Sequence, residues 1–86
     1  MKFHLTDSFQ KKAKKLCKKD PQLKIALAKQ FSLFQENHQH PSLKIHKLKG
    51  KRSEQYAIRI KGDLRVLSIK NNEIFIFFDL VTHDQY

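Results

Sequence analysis

The chain has little of what most chemistry requires. A single cysteine, Cys17, excludes an intramolecular disulfide and any cysteine-based zinc site. With only two glycines, Gly50 and Gly62, there is no glycine-rich phosphate loop, and neither a nucleophile elbow nor an HExxH pair occurs. No apolar stretch approaches the ~20 residues of a membrane span. The start, Met1-Lys-Phe-His-Leu-Thr-Asp7, lacks a signal-peptide core, so a cytoplasmic protein without membrane contact is expected. Acidic residues are scarce too, 8 against 18 Lys and Arg, which leaves a formal net charge of +10. On one small domain spanning residues 1–86, that charge pulls toward polyanions, above all nucleic acid, and next toward an acidic protein partner. The 40% hydrophobic content, with seven Phe, is enough for a small packed sheet.

Apolar spacing divides the chain. Phe3 and Leu5 alternate around His4 in a short edge strand. Thr6-Asp7-Ser8 then offers N-cap chemistry, with Asp7 the favoured cap. Phe9, Ala13, Leu16 and Cys17 recur at helical spacing, with lysines over the other face. Cys17 on that stripe reads as a small core residue. Asp20-Pro21 closes this helix and opens the next, Asp as cap and Pro at the first helical position. Leu23, Ala26, Leu27, Phe31 and Phe34 make the second stripe, which stops before Pro41. Residues 42–53 read as a short strand or extended loop, exposed and cationic, turning at Gly50.

The last third reads as three strands, Gln55–Lys61, Leu64–Lys70 and Glu73–Val81, with turns at Lys61–Leu64 and Asn71-Asn72. The third is apolar on both faces, so it should lie inside the sheet and be covered on both sides. The fold class expected is α+β, in the order β-α-α-β-β-β. Its sheet is mainly antiparallel, with a helical hairpin packed on one face.

The candidate chemistry lies in His46, Arg59, Asp63, Arg65, His83 and Tyr86, all at strand ends or within neighbouring strands. RNA cleavage by its own 2′-hydroxyl needs a base, an acid for the leaving 5′-oxygen, and cations on the phosphate. Histidines supply the first two near neutral pH, arginines the third, and a terminal aromatic can stack on a base. Taken one at a time, each of these residues is more simply a solvent-facing polar group. His38-x-His40 has no carboxylate or cysteine at useful spacing, so no metal and no cofactor is expected. The lysine run of residues 11–19 suits a solvated helix face first and a binding face second.

The element order, the segment His46-Lys-Leu-Lys-Gly50, the opening Asp63-Leu-Arg-Val and the ending Thr82-His-Asp-Gln-Tyr86 together resemble the RelE/ParE superfamily of type II toxins. The resemblance covers essentially the whole chain, is nearest the RelE and YafQ branches, and has its specific motifs after residue 40. It implies a ribosome-dependent mRNA endonuclease that leaves a 2′,3′-cyclic phosphate and a 5′-hydroxyl. A cognate acidic antitoxin would silence it by wrapping it. His46 resembles the YafQ-branch histidine before a Pro-Leu-x-Gly segment, with Lys47 in place of the proline. Asp63 matches the strand-opening aspartate, and His83 the histidine of the Thr-His ending. Arg59 stands where that branch has another histidine. Arg65 matches the arginine that RelE and YoeB use on the scissile phosphate, and Tyr86 the C-terminal aromatic. Under this reading Lys44, Lys47, Lys49, Lys51, Arg52, Lys11, Lys14 and Lys15 hold the rRNA and mRNA backbones.

Two other readings share the fold: a ParE-like inhibitor of DNA gyrase acting by protein contact, and a non-catalytic nucleic-acid-binding member. The register after Gly62 discriminates the nuclease reading. A two-residue turn at Gly62-Asp63 pairs Ile60 with Arg65, whereas a longer turn, or a bulge, sets Arg59 opposite Arg65.

Overall fold

Two caps set the helical hairpin. The computed structural model describes residues 1–82. A first strand, β1 (Lys2–Leu5), leads into α1 (Asp7–Lys19) and α2 (Pro21–Glu36). Thr6, not Asp7, is the N-cap of α1, its hydroxyl accepting from the Phe9 amide at 3.1 Å. Asp7 instead sits in the first turn, where its charge meets the helix dipole. Asp20 caps α2 through the Gln22 amide at 3.1 Å, with Pro21 behind it as the sequence predicts. After α2 come β2 (His46–Lys47), β3 (Gln55–Lys61), β4 (Leu64–Asn71) and β5 (Ile74–Thr82). Single 3-10 turns at Pro41–Leu43 and Gly50–Arg52 shape the connection around β2.

The strands form one sheet in the order β1-β5-β4-β3-β2. All pairings are antiparallel except β1 with β5, which the intervening helical hairpin makes parallel. The β4–β5 turn falls one residue later than expected: Asn71 pairs with Ile74, so Asn72 and Glu73 make the turn. Only Asn72 of these two has positive φ, at 58°, so the turn is not type I′, which requires it at both.

Aromatic rings fill the space between hairpin and sheet. Phe77 is 1% exposed and stacks on Phe3 at 4.8 Å between centroids. Phe34 meets Phe75 and Phe77 edge-on at 5.1 and 5.3 Å, and each such pair is worth ~0.5–1.5 kcal/mol beyond its buried area. Phe9, Leu23, Leu27, Ile58, Ile60, Val66 and Leu80 complete this core. A smaller cluster, Ala57, Leu67 and Val81 with Leu48 and Phe78 against it, lies apart from that core.

The doubly apolar β5 has a specific cause. Its pairing with β4 steps from Leu67–Asp79 to Ser68–Phe77, leaving Phe78 as a bulged extra residue. The bulge reverses the alternation, so Phe75, Phe77 and then Leu80 join the aromatic core, while Phe78 and Val81 join the smaller cluster. As expected, β5 lies inside the sheet, between β1 and β4. Its cover on the outer face is partial, and Ile74 remains 42% exposed.

Candidate functional site

The site is built on a second bulge. Gly62 has φ of +53° and Asp63 follows it in a two-residue turn, which pairs Lys61 with Leu64. Left regular, that ladder would next set Ile60 against Arg65. Instead the pairing jumps to Arg59–Arg65, with Ile60 extra and 3% exposed in the aromatic core. Arg59 lies two residues from Ala57 and Arg65 two from Leu67, so both arginines share the outer face with the smaller cluster. Residues paired this way have Cβ atoms about 4.5–5.5 Å apart, and like charges so placed repel.

Nothing acidic relieves that repulsion among the described residues. The ion pairs there are Lys12–Asp79 at 2.8 Å and Lys61–Asp20 at 3.2 Å, and neither involves these arginines. The Arg65 guanidinium is held in place by its Nη1, which donates to the carbonyls of Gly62 at 2.7 Å and Leu64 at 3.2 Å. Its remaining donors keep the planar fork that suits phosphate.

His46 pairs with Ala57 across β2 and β3, two residues along the strand from Arg59. Its Nδ1 lies 3.0 Å from the Lys44 carbonyl. A carbonyl only accepts, so Nδ1 carries the hydrogen and the neutral ring has its lone pair at Nε2. Lys44 adopts a left-handed conformation (φ 44°, ψ 40°) that lysine rarely takes, and the strain accompanies this orienting contact. Asp63 is exposed in the turn, and no hydrogen bond or ion pair links it to another described residue. His83 and Tyr86 lie outside the described residues; Thr82, just before them, pairs with Leu64 beside Arg65.

The structure thus brings together Arg59, Arg65, Asp63 and His46 at one end of the outer face. Lys44, Lys47, Lys49, Lys51 and Arg52 are exposed along the segment that carries β2 and Leu48 beside that face. Lys11, Lys14 and Lys15 are exposed on α1, which packs through Phe9 into the aromatic core on the other face. His40 is a structural cap: its Nδ1 accepts from the Ser42 amide at 3.1 Å. No group of three or more potential metal ligands converges among the described residues. No helix of the described residues is long and apolar enough to cross a membrane.

The sequence reading missed Gln30. It is 4% exposed, and its amide donates to the Arg59 carbonyl at 2.8 Å and the Ser42 carbonyl at 3.1 Å. One buried side chain thereby ties α2 to the strand at the arginine and to the turn before β2. The signal was present, because Gln30 is in phase with Leu23, Leu27 and Phe34 on the buried stripe. A groove of about 800 Å³ lies at the opposite end of the sheet, between Met1, His4, Asn72 and Ile76. It is remote from the arginine pair.

The sequence matches no family model and no curated protein. Solved structures do match it over nearly its full length. A copper-bound mutant toxin from Helicobacter pylori is 25% identical, with a TM-score of 0.71, covering 99% of this chain and 97% of that one. YafQ from E. coli superposes with a TM-score of 0.74 at 16% identity, over 96% of this chain and 93% of its own. A YoeB/ParE toxin from Agrobacterium tumefaciens gives 0.75 at 15% identity, over 96% and 99%. With its helical hairpin on one face of a β1-β5-β4-β3-β2 sheet, this chain has the RelE/YafQ-like toxin fold.

Proposed function

We propose that this protein is the toxin of a type II toxin–antitoxin system and acts as an endoribonuclease on ribosome-bound mRNA. One observation carries the reading: a bulge sets Arg59 directly opposite Arg65, with no acidic partner among the described residues. A pair of fixed cations is costly on an isolated sheet and useful against a phosphate that gains charge in a transition state. The fold supports the toxin class, since several structural neighbours are named as toxins.

In the proposed reaction, His46 Nε2 takes the proton of the 2′-hydroxyl. The resulting oxygen attacks the adjacent phosphorus, and the bond from phosphorus to the 5′-oxygen breaks. Arg59 and Arg65 neutralise the crowded phosphate, and Asp63 orients a neighbouring group. His83 returns a proton to the leaving 5′-oxygen, and Tyr86 stacks on a base. The products are a 2′,3′-cyclic phosphate and a 5′-hydroxyl. Lys44, Lys47, Lys49, Lys51 and Arg52, with Lys11, Lys14 and Lys15 of α1, contact the rRNA and mRNA backbones. The protein partner is an acidic antitoxin; YafQ itself has been solved as a DinJ–YafQ toxin–antitoxin complex, and the +10 charge here suits such a partner.

The test is to map mRNA ends after brief expression of the wild type and of Arg65→Ala. Losing one transition-state cation should slow cleavage by about 10²–10³-fold, relieving growth arrest while the circular dichroism spectrum is kept. Equal cleavage by both proteins refutes the assignment of Arg65. Intact mRNA with DNA damage in the wild type refutes the nuclease and favours the gyrase-directed alternative.

A further inference from the structure

Gln30 reaches the arginine pair from the far side of the sheet. It lies on the buried stripe of α2, where Leu27 and Phe34 pack into the aromatic core, and it is 4% exposed. A buried amide is costly unless its hydrogens are bonded, and here both are used. Nε2 donates to the Arg59 carbonyl at 2.8 Å and to the Ser42 carbonyl at 3.1 Å. The Arg59 carbonyl belongs to the peptide unit that joins Arg59 to the bulged Ile60. A bulge leaves its extra residue unpaired and disrupts the ladder, so β4 holds this stretch of β3 least. The Ser42 carbonyl sits at the root of the segment that delivers the base. From there the chain runs through buried Leu43 to Lys44, whose carbonyl orients His46. The Arg59 side chain lies on the opposite face of the sheet, so Gln30 holds its main chain and not its charge.

We propose that Gln30 is a positioning residue for the cleavage site, a clamp that fixes the Arg59 cation and the His46 base relative to each other. The inference rests on the RNA-cleaving reading, which it deepens by adding a residue that touches no substrate. Both bonds leave one nitrogen, so a shift of either backbone segment strains the bond to the other. A fully bonded buried amide rigidifies its surroundings and specifies one arrangement of them. Reacting groups displaced by about 1 Å lose up to about 10²-fold in rate, even when the cause is remote. The base needs such a hold, because β2 is a two-residue strand that pairs with β3 only through His46–Ala57 and Lys47–Tyr56.

The experiment compares the full wild-type chain with Gln30→Leu, Gln30→Glu and Leu33→Ala, the last at a half-buried residue of the same helix. Cleavage of ribosome-bound mRNA is measured per folded molecule at saturating and limiting substrate, and backbone amide resonances are followed by NMR. Gln30→Leu should lower kcat by about 10–10²-fold with KM nearly unchanged. It should also shift the amides of Arg59, Ile60 and His46. Leu33→Ala should lower the melting temperature while keeping kcat and those amides. Gln30→Glu matches the length of the side chain but has a hydrogen to donate only when protonated. Its kcat, as a ratio to wild type at each pH, should rise as pH falls, whereas the ratio for Gln30→Leu stays flat. An equal loss of kcat in Gln30→Leu and Leu33→Ala overturns the clamp, because general loosening then explains both. A Gln30→Leu protein that cuts like the wild type overturns it too and leaves the cleavage reading standing. If the wild type cuts no RNA, only the cleavage reading falls. Amide shifts at Arg59 and His46 confined to the Gln30 variants then support the clamp, and their absence overturns it. If Gln30→Leu does not fold, the Gln30→Glu ratio decides, a rise supporting the clamp and a flat profile overturning it.

Discussion

On the helix side of the sheet, strand residues meet other rings: Phe75 and Phe77 lie among Phe3, Phe31 and Phe34, with Lys70 over the Phe75 ring at 5.8 Å. The outer side of the same strands carries a small cluster of Ala57, Leu67 and Val81, and beside it two arginines face each other. One face is optimised for exclusion of water. The other accepts repulsion that folding alone would remove. The contrast teaches where stability and function separate in a chain this short, because a strand cannot use one residue for both faces.

The largest effect that tests this division belongs to the covered face. Phe77→Ala should cost about 3–5 kcal/mol, as deletion of a buried ring does, against a total of roughly 5–15 kcal/mol for a domain. Urea unfolding followed by circular dichroism should show a markedly lowered midpoint. A parental midpoint would mean that the ring cluster is not the core. Next comes the tie between the two faces. Gln30→Leu keeps the volume but leaves the Arg59 and Ser42 carbonyls without their buried donor, at a cost of about 1–3 kcal/mol. Thermal melting reads this directly, and an unchanged melt would show the two carbonyls satisfied elsewhere. The smallest effect is on the outer face. Arg59→Ala should leave stability unchanged or raise it by about 0.2–1 kcal/mol, and the gain should shrink as salt screens the pair. A loss above about 1 kcal/mol would instead show the arginine stem packing on the apolar cluster.

Much of this fold is legible from residue spacing. The helical stripes, the Asp20-Pro21 corner and the bounds of β3 follow from periodicity and cap chemistry. What escaped was decided by single-residue phase. Thr6 and Asp7 are both competent caps, and the chain chose Thr6 because β1 stays extended through Leu5. The turn after β4 had Asn71, Asn72 and Glu73 to choose from, and the β4–β5 ladder fixed it one residue late. Neither bulge leaves a mark, since Ile60 and Phe78 are ordinary strand formers. Gln30 was passed over because a polar residue is taken as outward-facing, although its phase said otherwise. For the site, Arg59, Arg65 and His46 were named from sequence, and the register of β2, β3 and β4 sets them on one face.

Ile60 has one further consequence. Because it is the extra residue between the turn and the arginines, this hairpin has one residue to spare. Loss of Ile60 would leave Lys61 against Leu64 and Arg59 against Arg65, now in a regular ladder. An in-frame single-codon deletion there would remove a core side chain and spare the arginine pair, so a shorter copy of this chain that keeps its function is to be sought at this hairpin.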